Sequence, residues 1–418
     1  MKVIYIIHQF YPEYYTGTEK FVLSIANMMQ RLGNRARVVT YSSYDYLSDT
    51  TGSDTAGENL FVREFLYKGI PVTAFNYKKL PEDLNYGFTS PDLAKAAYDF
   101  FNKEKPDIVH VGHPMRTGEL IKALKLQGIP YIITLTDFWL LCPKYILLTA
   151  SGNLCNGPEN GKACKKFCPE FPGGMISQRI KSAKDVLAGA KRVLSPSRFL
   201  ADIFKKEFKD INIGIINHGI SYGRIEKNNK IYKRNDSLTF FYGGSFNRFK
   251  GVHLLIDAFT KISSDRIFLK IYGSGGADKE YNLLLKKMAE NDARIQFCGV
   301  FSEDQVGRIL KSVDVAVVPS LWYENYPLVL HEALACNVPV ITSDAGGMAE
   351  KIKNGVNGFT FQIGSADHLK KVLKAITDDP EMLNSLKENI KNHMMPTIEQ
   401  EAYAYEREYK RAVLSCVS

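Results

Sequence analysis

Short apolar runs alternate with longer amphipathic stretches, and this alternation occurs in both halves of the chain. Runs that are apolar on both faces are typical of strands in a parallel sheet covered by helices. The runs that we interpret as strands are Val3–Ile7, Ala36–Thr40, Asp107–Val111, Tyr131–Leu135 and Arg192–Ser195, then Leu238–Tyr242, Ile267–Tyr272, Arg294–Cys298, Val313–Val318 and Pro339–Thr342. The pattern predicts an α/β chain with two doubly wound, Rossmann-like domains.

The amphipathic stretches predict the helices between these strands. They are Glu19–Arg31, Asp92–Lys103, Thr117–Leu126, Ser197–Phe208, Val252–Thr260, Tyr281–Ala289, Gln305–Leu310, Val329–Ala335, Asp367–Ile376 and Thr397–Val413. A polar segment, 221–236, is predicted to be a linker. We therefore expect an N-terminal domain over 1–218, a C-terminal domain over 219–396, and a last helix over 397–418 that packs back on the N-terminal domain. Ligands bind such domains at the carboxyl ends of the strands, so two facing domains would form a cleft.

The 418 residues carry a formal net charge of +9, which is modest for this length. It suits phosphorylated ligands, but no Lys/Arg block resembles a nucleic-acid tail, so we expect no nucleic-acid partner. No apolar run approaches the ~18 residues that span a bilayer, and the N-terminus lacks signal-peptide features. Together with seven cysteines, an odd number, this predicts a cytoplasmic protein whose membrane contact could only be peripheral, at the inner face. The basic and apolar stretch Gln178–Lys191 fits either an anionic membrane surface or a packed helix with a solvated face.

The most specific motif is Glu324-Asn325-Tyr326-Pro327-Leu328-Val329-Leu330-His331-Glu332. Glu324 follows a predicted strand, and Glu332 lies one turn into the next predicted helix. Carboxylates at the carboxyl end of a strand can accept charge-assisted hydrogen bonds from sugar hydroxyls. A surface glutamate and a capping glutamate would give the same spacing, so the surrounding residues decide between the alternatives.

These surroundings resemble the C-terminal domain of retaining glycosyltransferases of family 4, which have the GT-B fold. The residues that carry the resemblance are Asp314, Pro319-Ser320, Glu324-Asn325-Tyr326-Pro327, His331-Glu332-Ala333-Leu334-Ala335, Val338-Pro339-Val340-Ile341, Gly346-Gly347, Glu350 and Asn357-Gly358. The resemblance implies that Glu324 contacts the donor sugar and that Glu332 contacts the nucleotide ribose. The implied donor is a UDP- or GDP-sugar. The predicted donor-binding segment also includes Asn325, Tyr326, Pro327 and Leu328.

The segment Phe241–Gly251 resembles the family's strand, glycine-rich turn and Lys-Gly at a helix start. Glycine permits close approach of the backbone to a diphosphate, and a helix N-terminus favours its negative charge. Gly244 and Lys250 are therefore predicted to face the donor diphosphate, with a solvated lysine as the alternative for Lys250. Ser245 stands where the family usually has arginine, and Arg248 is predicted to replace that arginine.

Two further turns are similar to family motifs. Gly273 lies in a Gly-x-Gly turn, 273–275, after the second strand of the C-terminal domain. Gly17 lies in Thr16-Gly17-Thr18-Glu19, which resembles the Gly-Gly-x-Glu loop near the donor phosphates, although an ordinary loop with a threonine cap is the alternative. No Gly-x-Gly-x-x-Gly follows the first strand, so we expect no NAD.

Polar residues also follow strands of the N-terminal domain. His113 stands where family members place a polar group that faces the sugar, whereas His110 fits a core histidine. Asp137 could accept a proton or position an acceptor hydroxyl, or it could cap a turn, and Thr136 before it replaces a histidine common in the family. His113 and Asp137, with Glu324, are the predicted catalytic residues, and no covalent nucleophile is assigned.

Four cysteines lie in one insert, 142–168, that is rich in Gly, Pro and Asn. They are Cys142, Cys155, Cys164 and Cys168. Thiolates at such spacings can hold Zn²⁺ or an iron–sulfur cluster, so these four are candidate ligands of a structural metal. Free buried thiols and a disulfide pair are the alternatives. As a hypothesis, the insert shapes the acceptor site.

The resemblance covers nearly the whole chain and implies a two-domain GT-B enzyme that transfers a sugar to a hydroxyl with retention. Positioning and stabilisation of the leaving diphosphate would supply catalysis. The implied acceptor is a carbohydrate or a lipid-linked glycan in surface polysaccharide biosynthesis. One alternative is a GT-B epimerase, which the context of Glu324 disfavours, or a GT-B phosphorylase, which would need a pyridoxal lysine that no sequence context suggests. The other alternative is a non-catalytic relative that binds nucleotide or a partner.

Overall fold

The structure is a computed structural model that describes residues 1–42, 54–55, 60–77, 87, 91–275, 278–392 and 395–415. The chain divides into two compact units. Unit 1 comprises Met1–His218 and Ile398–Ser418, and unit 2 comprises Gly219–Thr397. Because unit 2 lies between two segments of unit 1 in sequence, the chain passes twice between the units.

The described part of unit 1 is built on one sheet. Its strands are β1 (Lys2–Ile7), β2 (Arg35–Ser42), β3 (Asp54–Thr55), β4 (Leu60–Tyr67), β5 (Ile70–Tyr77), β6 (Ile108–Val111), β7 (Tyr131–Thr134), β8 (Arg192–Ser195) and β9 (Ile213–Ile215). They lie side by side in the order β3-β4-β5-β2-β1-β6-β7-β8-β9. From β5 to β9 in this order the pairs are parallel, whereas β4 pairs antiparallel with β3 and β5.

Helices connect the parallel strands of unit 1. They are α1 (Gly17–Arg31), α2 (Pro91–Glu104), α3 (Gly118–Leu126), α4 (Lys162–Phe167), α5 (Gly173–Gly189) and α6 (Arg198–Glu207). The central strand β1 explains why both faces need helices, since Val3, Ile4 and Ile6 are all fully buried. Successive side chains of a strand point to opposite faces, so β1 is covered on both sides.

Unit 2 has a second, fully parallel sheet among its described residues. Its strands are β10 (Leu238–Gly243), β11 (Ile267–Tyr272), β12 (Ile295–Gly299), β13 (Val315–Val318), β14 (Val340–Ser343) and β15 (Gly358–Phe361), in the order β12-β11-β10-β13-β14-β15. Its helices are α7 (Val252–Thr260), α8 (Lys279–Ala289), α9 (Val306–Lys311), α10 (Leu328–Ala335), α11 (Gly346–Lys351), α12 (Ala366–Asp378) and α13 (Met382–Lys391). This arrangement places the loops after β10, β11 and β13 at one edge of the sheet.

A final helix, α14 (Ile398–Leu414), belongs to unit 1 and packs against α1, β6 and β7. Its Tyr405 and Tyr409 are fully buried. The Tyr409 hydroxyl lies 2.8 Å from Nδ1 of His110, and Nδ1 of His218 lies 2.8 Å from Oε1 of Glu401. Buried apolar area and these polar contacts fix the helix on the sheet.

The predicted strands and helices are confirmed, and each observed end lies within two residues of its prediction. The predicted linker 221–236 is instead partly packed on unit 2. Tyr232 is 1% exposed and its hydroxyl donates to Asp314 Oδ1 at 2.9 Å, while Asn228 N donates to the carbonyl of Cys336 at 2.8 Å. The sequence predicted a linker because the segment is mostly polar, and nothing in its pattern distinguishes Asn228 and Tyr232 as packed residues.

Among the described residues, no helix is both long and apolar enough to cross a membrane. The basic stretch 178–191 falls mainly in α5, where Arg179 is buried and its guanidinium lies 4.4 Å from the centroid of the Trp139 ring. Lys181 and Lys184 on the same helix are exposed. The helix is therefore packed with a solvated face, and peripheral membrane contact stays a prediction.

Candidate functional site

In unit 2, the loops that follow β10 and β11 touch each other. The amide of Gly244 donates to the carbonyl of Tyr272 at 3.1 Å, and the amide of Phe246 donates to the carbonyl of Ser274 at 2.9 Å. Gly273 has φ +140°, and a Cβ there would lie 1.9 Å from the carbonyl oxygen of Gly244. Only glycine fits, because the two backbones meet at this point.

The turn that carries Lys250 is fixed against the loop after β13. Gly251 has φ +72°, and a Cβ there would lie 1.9 Å from the carbonyl oxygen of Pro319. The amide of Leu321 donates to the carbonyl of Phe249 at 2.7 Å. The backbone contact thus brings Lys250 beside the segment that carries Glu324.

Glu324 lies at the centre of a polar network. Its Oε1 accepts hydrogen bonds from Lys250 Nζ at 2.6 Å, Ser320 Oγ at 2.8 Å and Trp322 Nε1 at 2.9 Å. The residue is 6% exposed, so the carboxylate is a buried charge that these donors stabilise. All three of these donors contact the same carboxylate oxygen, Oε1.

Two consecutive glycines support the backbone of this carboxylate. The amide of Gly347 donates to the carbonyl of Glu324 at 2.6 Å. A Cβ at Gly347 would lie 2.0 Å from the carbonyl oxygen of Asn325, and one at Gly346 would lie 2.7 Å from that of Glu324. The glycines at the start of α11 therefore allow close packing on the loop that positions Glu324.

The rest of the predicted donor-binding segment leads into α10. Asn325 and Tyr326 are buried, Pro327 immediately precedes the helix, and Leu328 is its first residue. The ring of Tyr326 stacks on that of His331, with centroids 3.6 Å apart and planes at 9°. Glu332 is partly buried one turn into the helix, on the rigid element that the sequence predicts.

Arg248 shares the turn 248–250 with Lys250 but contacts different residues. Its Nε lies 3.7 Å from Asp278 Oδ2, and its guanidinium lies 5.2 Å from the centroid of the Tyr281 ring. The Arg248 side chain is 60% exposed, so this ion pair contributes little to stability. The structure places Arg248 beside the loop after β11, and its role toward a diphosphate stays a prediction.

In unit 1, Gly17 is the first residue of α1. The Glu19 carboxylate accepts hydrogen bonds from Thr16 N at 2.7 Å and from Thr16 Oγ1 at 2.5 Å, which forms a capping box. A Cβ at Gly17 would meet nothing within 4 Å. The local fold does not require this glycine, and its predicted role toward the donor stays a prediction.

The structure joins the two predicted catalytic residues of unit 1. His113 Nε2 lies 2.9 Å from Asp137 Oδ2, and the amide of Met115 donates to His113 Nδ1 at 3.2 Å. Because Nδ1 accepts a hydrogen bond, the ring proton is assigned to Nε2, which donates to Asp137. Asp137 Oδ1 also accepts from the amide of Trp139 at 2.8 Å. Both ring nitrogens of His113 are engaged, which suits a positioning role better than proton transfer.

Sequence reasoning missed three further polar residues near this pair. The rings of His8 and His113 have centroids 4.0 Å apart, and the guanidinium of Arg116 lies 5.6 Å from the centroid of the Tyr41 ring. His8 directly follows β1, and Tyr41 stands next to the end of β2. Their position at the carboxyl ends of parallel strands was the available signal, since none belongs to a motif.

His110 is a core residue, as the sequence suggests. It is fully buried, and its ring nitrogens lie 2.8 Å from the hydroxyl of Tyr409 and 2.8 Å from that of Thr134. Burial, assisted by the charge of His218, lowers the pKa of His110 to about 3. The ring is neutral at physiological pH and holds α14 on the sheet.

The metal prediction for Cys142, Cys155, Cys164 and Cys168 is not supported. All four are free thiols. Across the described ranges, no group of three or more His, Cys, Asp or Glu side chains is arranged to hold a metal ion. Burial, with the neighbouring thiols, raises the pKa of Cys164 to about 12. Cys416 lies outside the described residues.

Comparisons with known proteins bear on the family and the fold. The family model "Glycosyltransferase Family 4" matches residues 15–224, and "Glycosyl transferases group 1" matches residues 223–393. An uncharacterised glycosyltransferase of Methanocaldococcus jannaschii is 30% identical over 38% of this chain. That match spans 44% of the relative's own length, and a match to another glycosyltransferase of the same organism spans 32%.

A relative from Escherichia coli matches more of the chain. It is a UDP-Gal:α-D-GlcNAc-diphosphoundecaprenol α-1,3-galactosyltransferase, 26% identical over 71% of this chain and 73% of its own.

Solved structures show the same fold. The sucrose-phosphate synthase of Thermosynechococcus elongatus aligns with a TM-score of 0.72 and 17% identity over 100% of both chains. HepE of Anabaena, in complex with UDP and glucose, aligns with a TM-score of 0.70 and 15% identity over 98% of this chain and 100% of its own. Since a family model covers half of its residues and these neighbours share its architecture, the chain belongs to glycosyltransferase family 4 and has the GT-B fold.

Proposed function

We propose that this chain is a retaining glycosyltransferase that moves a sugar from a UDP-sugar to a hydroxyl of a carbohydrate or lipid-linked glycan. The observation that carries the proposal is the network around Glu324, in which Lys250, Ser320 and Trp322 all donate to one carboxylate oxygen. A buried carboxylate that is held through one oxygen suits recognition of a sugar hydroxyl through the other.

Lys250 would stabilise the charge that develops on the departing diphosphate. As the bond from the sugar to the diphosphate breaks, negative charge grows on the leaving oxygen, and a preorganised cation lowers the barrier. Lys250 is held by Glu324 and lies over the Trp322 ring, with Nζ 5.3 Å from the centroid. The close-packed turns at Gly244 and Gly273 would let the backbone approach the same phosphates.

The choice of donor rests on similar proteins. HepE of Anabaena is described in complex with UDP and with UDP-glucose, and the E. coli relative uses UDP-Gal. Glu332 would accept hydrogen bonds from the ribose hydroxyls of such a nucleotide. The acceptor of the E. coli relative is a sugar on diphosphoundecaprenol, which supports a lipid-linked glycan as acceptor class.

In unit 1, Asp137 and His113 would position the acceptor. Asp137 is held by two hydrogen bonds, from Trp139 and His113, and its side chain keeps 24% exposure through which a ligand can reach it. Because His113 uses both ring nitrogens, we assign it to orienting Asp137 rather than to catalysis by proton transfer.

Calorimetric titration with UDP, GDP and ADP tests the donor site. We expect UDP to bind the wild type with micromolar Kd, and Lys250→Met and Glu332→Ala each to weaken binding at least tenfold. Lys261→Met is the matched control, because Lys261 is an exposed lysine that pairs with Asp257 of α7. Equal affinity of all three variants for UDP would refute the assignment, and tighter binding of GDP would change the base.

A non-catalytic nucleotide-binding protein is the second candidate. Ser245 stands where the resemblance expects arginine, and Arg248 contacts Asp278 rather than the network around Glu324. Release of glucose from UDP-glucose in the absence of acceptor separates the two functions. If the wild type hydrolyses UDP-glucose and Glu324→Gln does not, the protein is an enzyme. If the wild type binds UDP but shows no turnover even with lipid-linked acceptors, the protein is a nucleotide-binding protein.

A further inference from the structure

A row of polar side chains runs along the carboxyl edge of the sheet in unit 1. Tyr41 is on β2, His8 follows β1, Arg116 follows β6 and Asp137 follows β7. These strands are neighbours in the sheet, in the order β2-β1-β6-β7. Side chains at the carboxyl ends of adjacent parallel strands lie on one edge, where ligands of such sheets bind.

Contacts between successive side chains connect the members of this row. His113 links Asp137 to His8, through a 2.9 Å contact on one side and a ring contact with centroids 4.0 Å apart on the other. Arg116 interacts electrostatically with His8, and its guanidinium lies 5.6 Å from the centroid of the Tyr41 ring. The predicted acceptor residue Asp137 therefore belongs to a row of contacts that also contains a cation.

Two buried polar atoms in the row have no partner among the described residues. They are Nδ1 of His8, in a residue that is 8% exposed, and the hydroxyl of Tyr41, in a residue that is 1% exposed. A buried polar atom without a hydrogen bond typically costs about 1–3 kcal/mol, so native proteins rarely keep one without a function. Two such atoms, in residues that both interact with one guanidinium, point to a ligand that supplies their partners.

The chemistry of the row selects an anion. Burial raises the pKa of the Tyr41 hydroxyl above its ordinary value, so the hydroxyl keeps its proton and can donate. Burial also lowers the pKa of His8 well below its ordinary value, so the ring is neutral and one nitrogen carries a proton. Arg116 is partly buried and has φ +64°, a left-handed conformation that few side chains adopt and that often marks functional sites.

We propose that Arg116, Tyr41 and His8 form an anion subsite for the acceptor, which would carry a phosphate or carboxylate group near the hydroxyl that Asp137 positions. The guanidinium supplies charge and forked donors that match both groups. In the proposed function, Lys250 provides the positive charge for the donor diphosphate. The positive charge of Arg116 is therefore assigned to a different anion. This inference rests on the proposed function and deepens it by naming the class of acceptor.

The test uses the full chain saturated with UDP and three probes that share a pyranose ring. They are N-acetylglucosamine 1-phosphate, glucuronic acid and N-acetylglucosamine. We expect at least one anionic probe to bind at least tenfold more tightly than the neutral sugar, and the preferred probe identifies phosphate or carboxylate. Equal binding of the three probes, or binding by none, overturns the proposal.

Variants assign the preference to the row. Arg116→Gln should abolish it and Arg116→Lys should restore part of it, whereas Arg31→Gln, at the far end of α1, should leave it intact. Tyr41→Phe should weaken binding of the anionic probe severalfold without lowering Tm, because it removes a hydroxyl that has no partner among the described residues. If Arg116→Gln does not fold, Tyr41→Phe and Arg116→Lys decide. If folded Arg116 and Tyr41 variants still prefer the anionic probe as strongly as the wild type, these residues do not form the anion subsite.

A repeat of the titrations without UDP keeps the two proposals separate. Absence of UDP binding together with a retained anion preference would overturn the proposed donor site alone. Normal UDP binding together with no anion preference would overturn the anion subsite alone.

Discussion

Gly273 and Gly17, both predicted to face the donor, differ in how strongly the local fold depends on the missing side chain. At Gly273, a Cβ would lie 1.9 Å from a backbone oxygen and φ is +140°. We expect Gly273→Ala to lower the free energy of unfolding by roughly 2–4 kcal/mol. Gly17→Ala should leave it unchanged or raise it by about 0.5–1 kcal/mol, because alanine favours the helix. Urea unfolding of both variants measures the difference.

The Gly17 variant also has a functional readout. Loss of sugar transfer by a fully stable Gly17→Ala variant would show that a ligand, rather than the fold, requires the glycine. Full activity would favour the ordinary capped helix that the contacts of Thr16 and Glu19 describe. A Gly273→Ala variant as stable as wild type would contradict the close contact between the turns.

His110 gives a pH dependence with a defined sign. Its pKa is lowered from 6.5 to about 3 in the folded protein, so between these values only the unfolded chain binds the proton. Stability therefore falls as pH drops below 6.5, by about 1.4 kcal/mol per pH unit for one such group. When the free energy of unfolding is measured with denaturant between pH 7.5 and 5, its dependence on pH should be weaker for His110→Gln than for the wild type. The difference should correspond to the uptake of about one proton fewer on unfolding. Parallel slopes would contradict the assignment.

The individual residues of the candidate donor site could be predicted from the sequence, but the contacts between them could not. Lys250 and Glu324 each stand in a family-like motif, yet their ion pair spans 74 positions and exists because Gly251 packs on Pro319. The row of His8, Tyr41 and Arg116 could not be predicted as a set. Its members come from three strands, and only the order of the sheet brings them together.

At the scale of the element, α14 offers a matched pair of tyrosines. Tyr409 is fully buried and contacts His110, whereas Tyr403 on the same helix is 49% exposed. We expect Tyr409→Ala to cost about 3–5 kcal/mol, as for other large buried rings, and Tyr403→Ala to cost less than about 0.5 kcal/mol. Thermal unfolding measures both. A similar small loss for each would mean that α14 contributes little to the fold of unit 1.

Three of the strands that the sequence analysis missed, β4, β9 and β15, share a physical reason. β4 has only one fully buried residue, Leu60, and carries Arg63 and Glu64, because it pairs antiparallel near the edge of the sheet and keeps one side in solvent. β9 and β15 lie at sheet edges and are short. The predicted strands are apolar on both faces, a pattern that such edge strands lack. The strand β5 is an exception, since it pairs parallel with β2 and is largely buried, yet it was not predicted.

At the scale of the whole molecule, the proposal assigns the nucleotide to unit 2. A ligand that binds only the folded state stabilises it by about 2.7 kcal/mol at 100 times its Kd. We expect saturating UDP to slow amide exchange most in the turns 243–251, 273–275 and 320–332. Hydrogen exchange with mass spectrometry measures this, and Lys250→Met provides the control. Protection confined to unit 1 would contradict the donor assignment.

The route of the chain also sets an order of events during synthesis. Unit 1 needs α14, whose Tyr405 and Tyr409 fill its core, but the ribosome reaches α14 only after all of Gly219–Thr397 has been made. At about 5–20 residues per second, that interval lasts on the order of ten seconds or more. The apolar surface of α1, β6 and β7 that α14 covers therefore stays exposed while unit 2 is being made and can already fold. A chaperone that shields apolar surface would find its target there, in the half of the protein that is translated first and completed last.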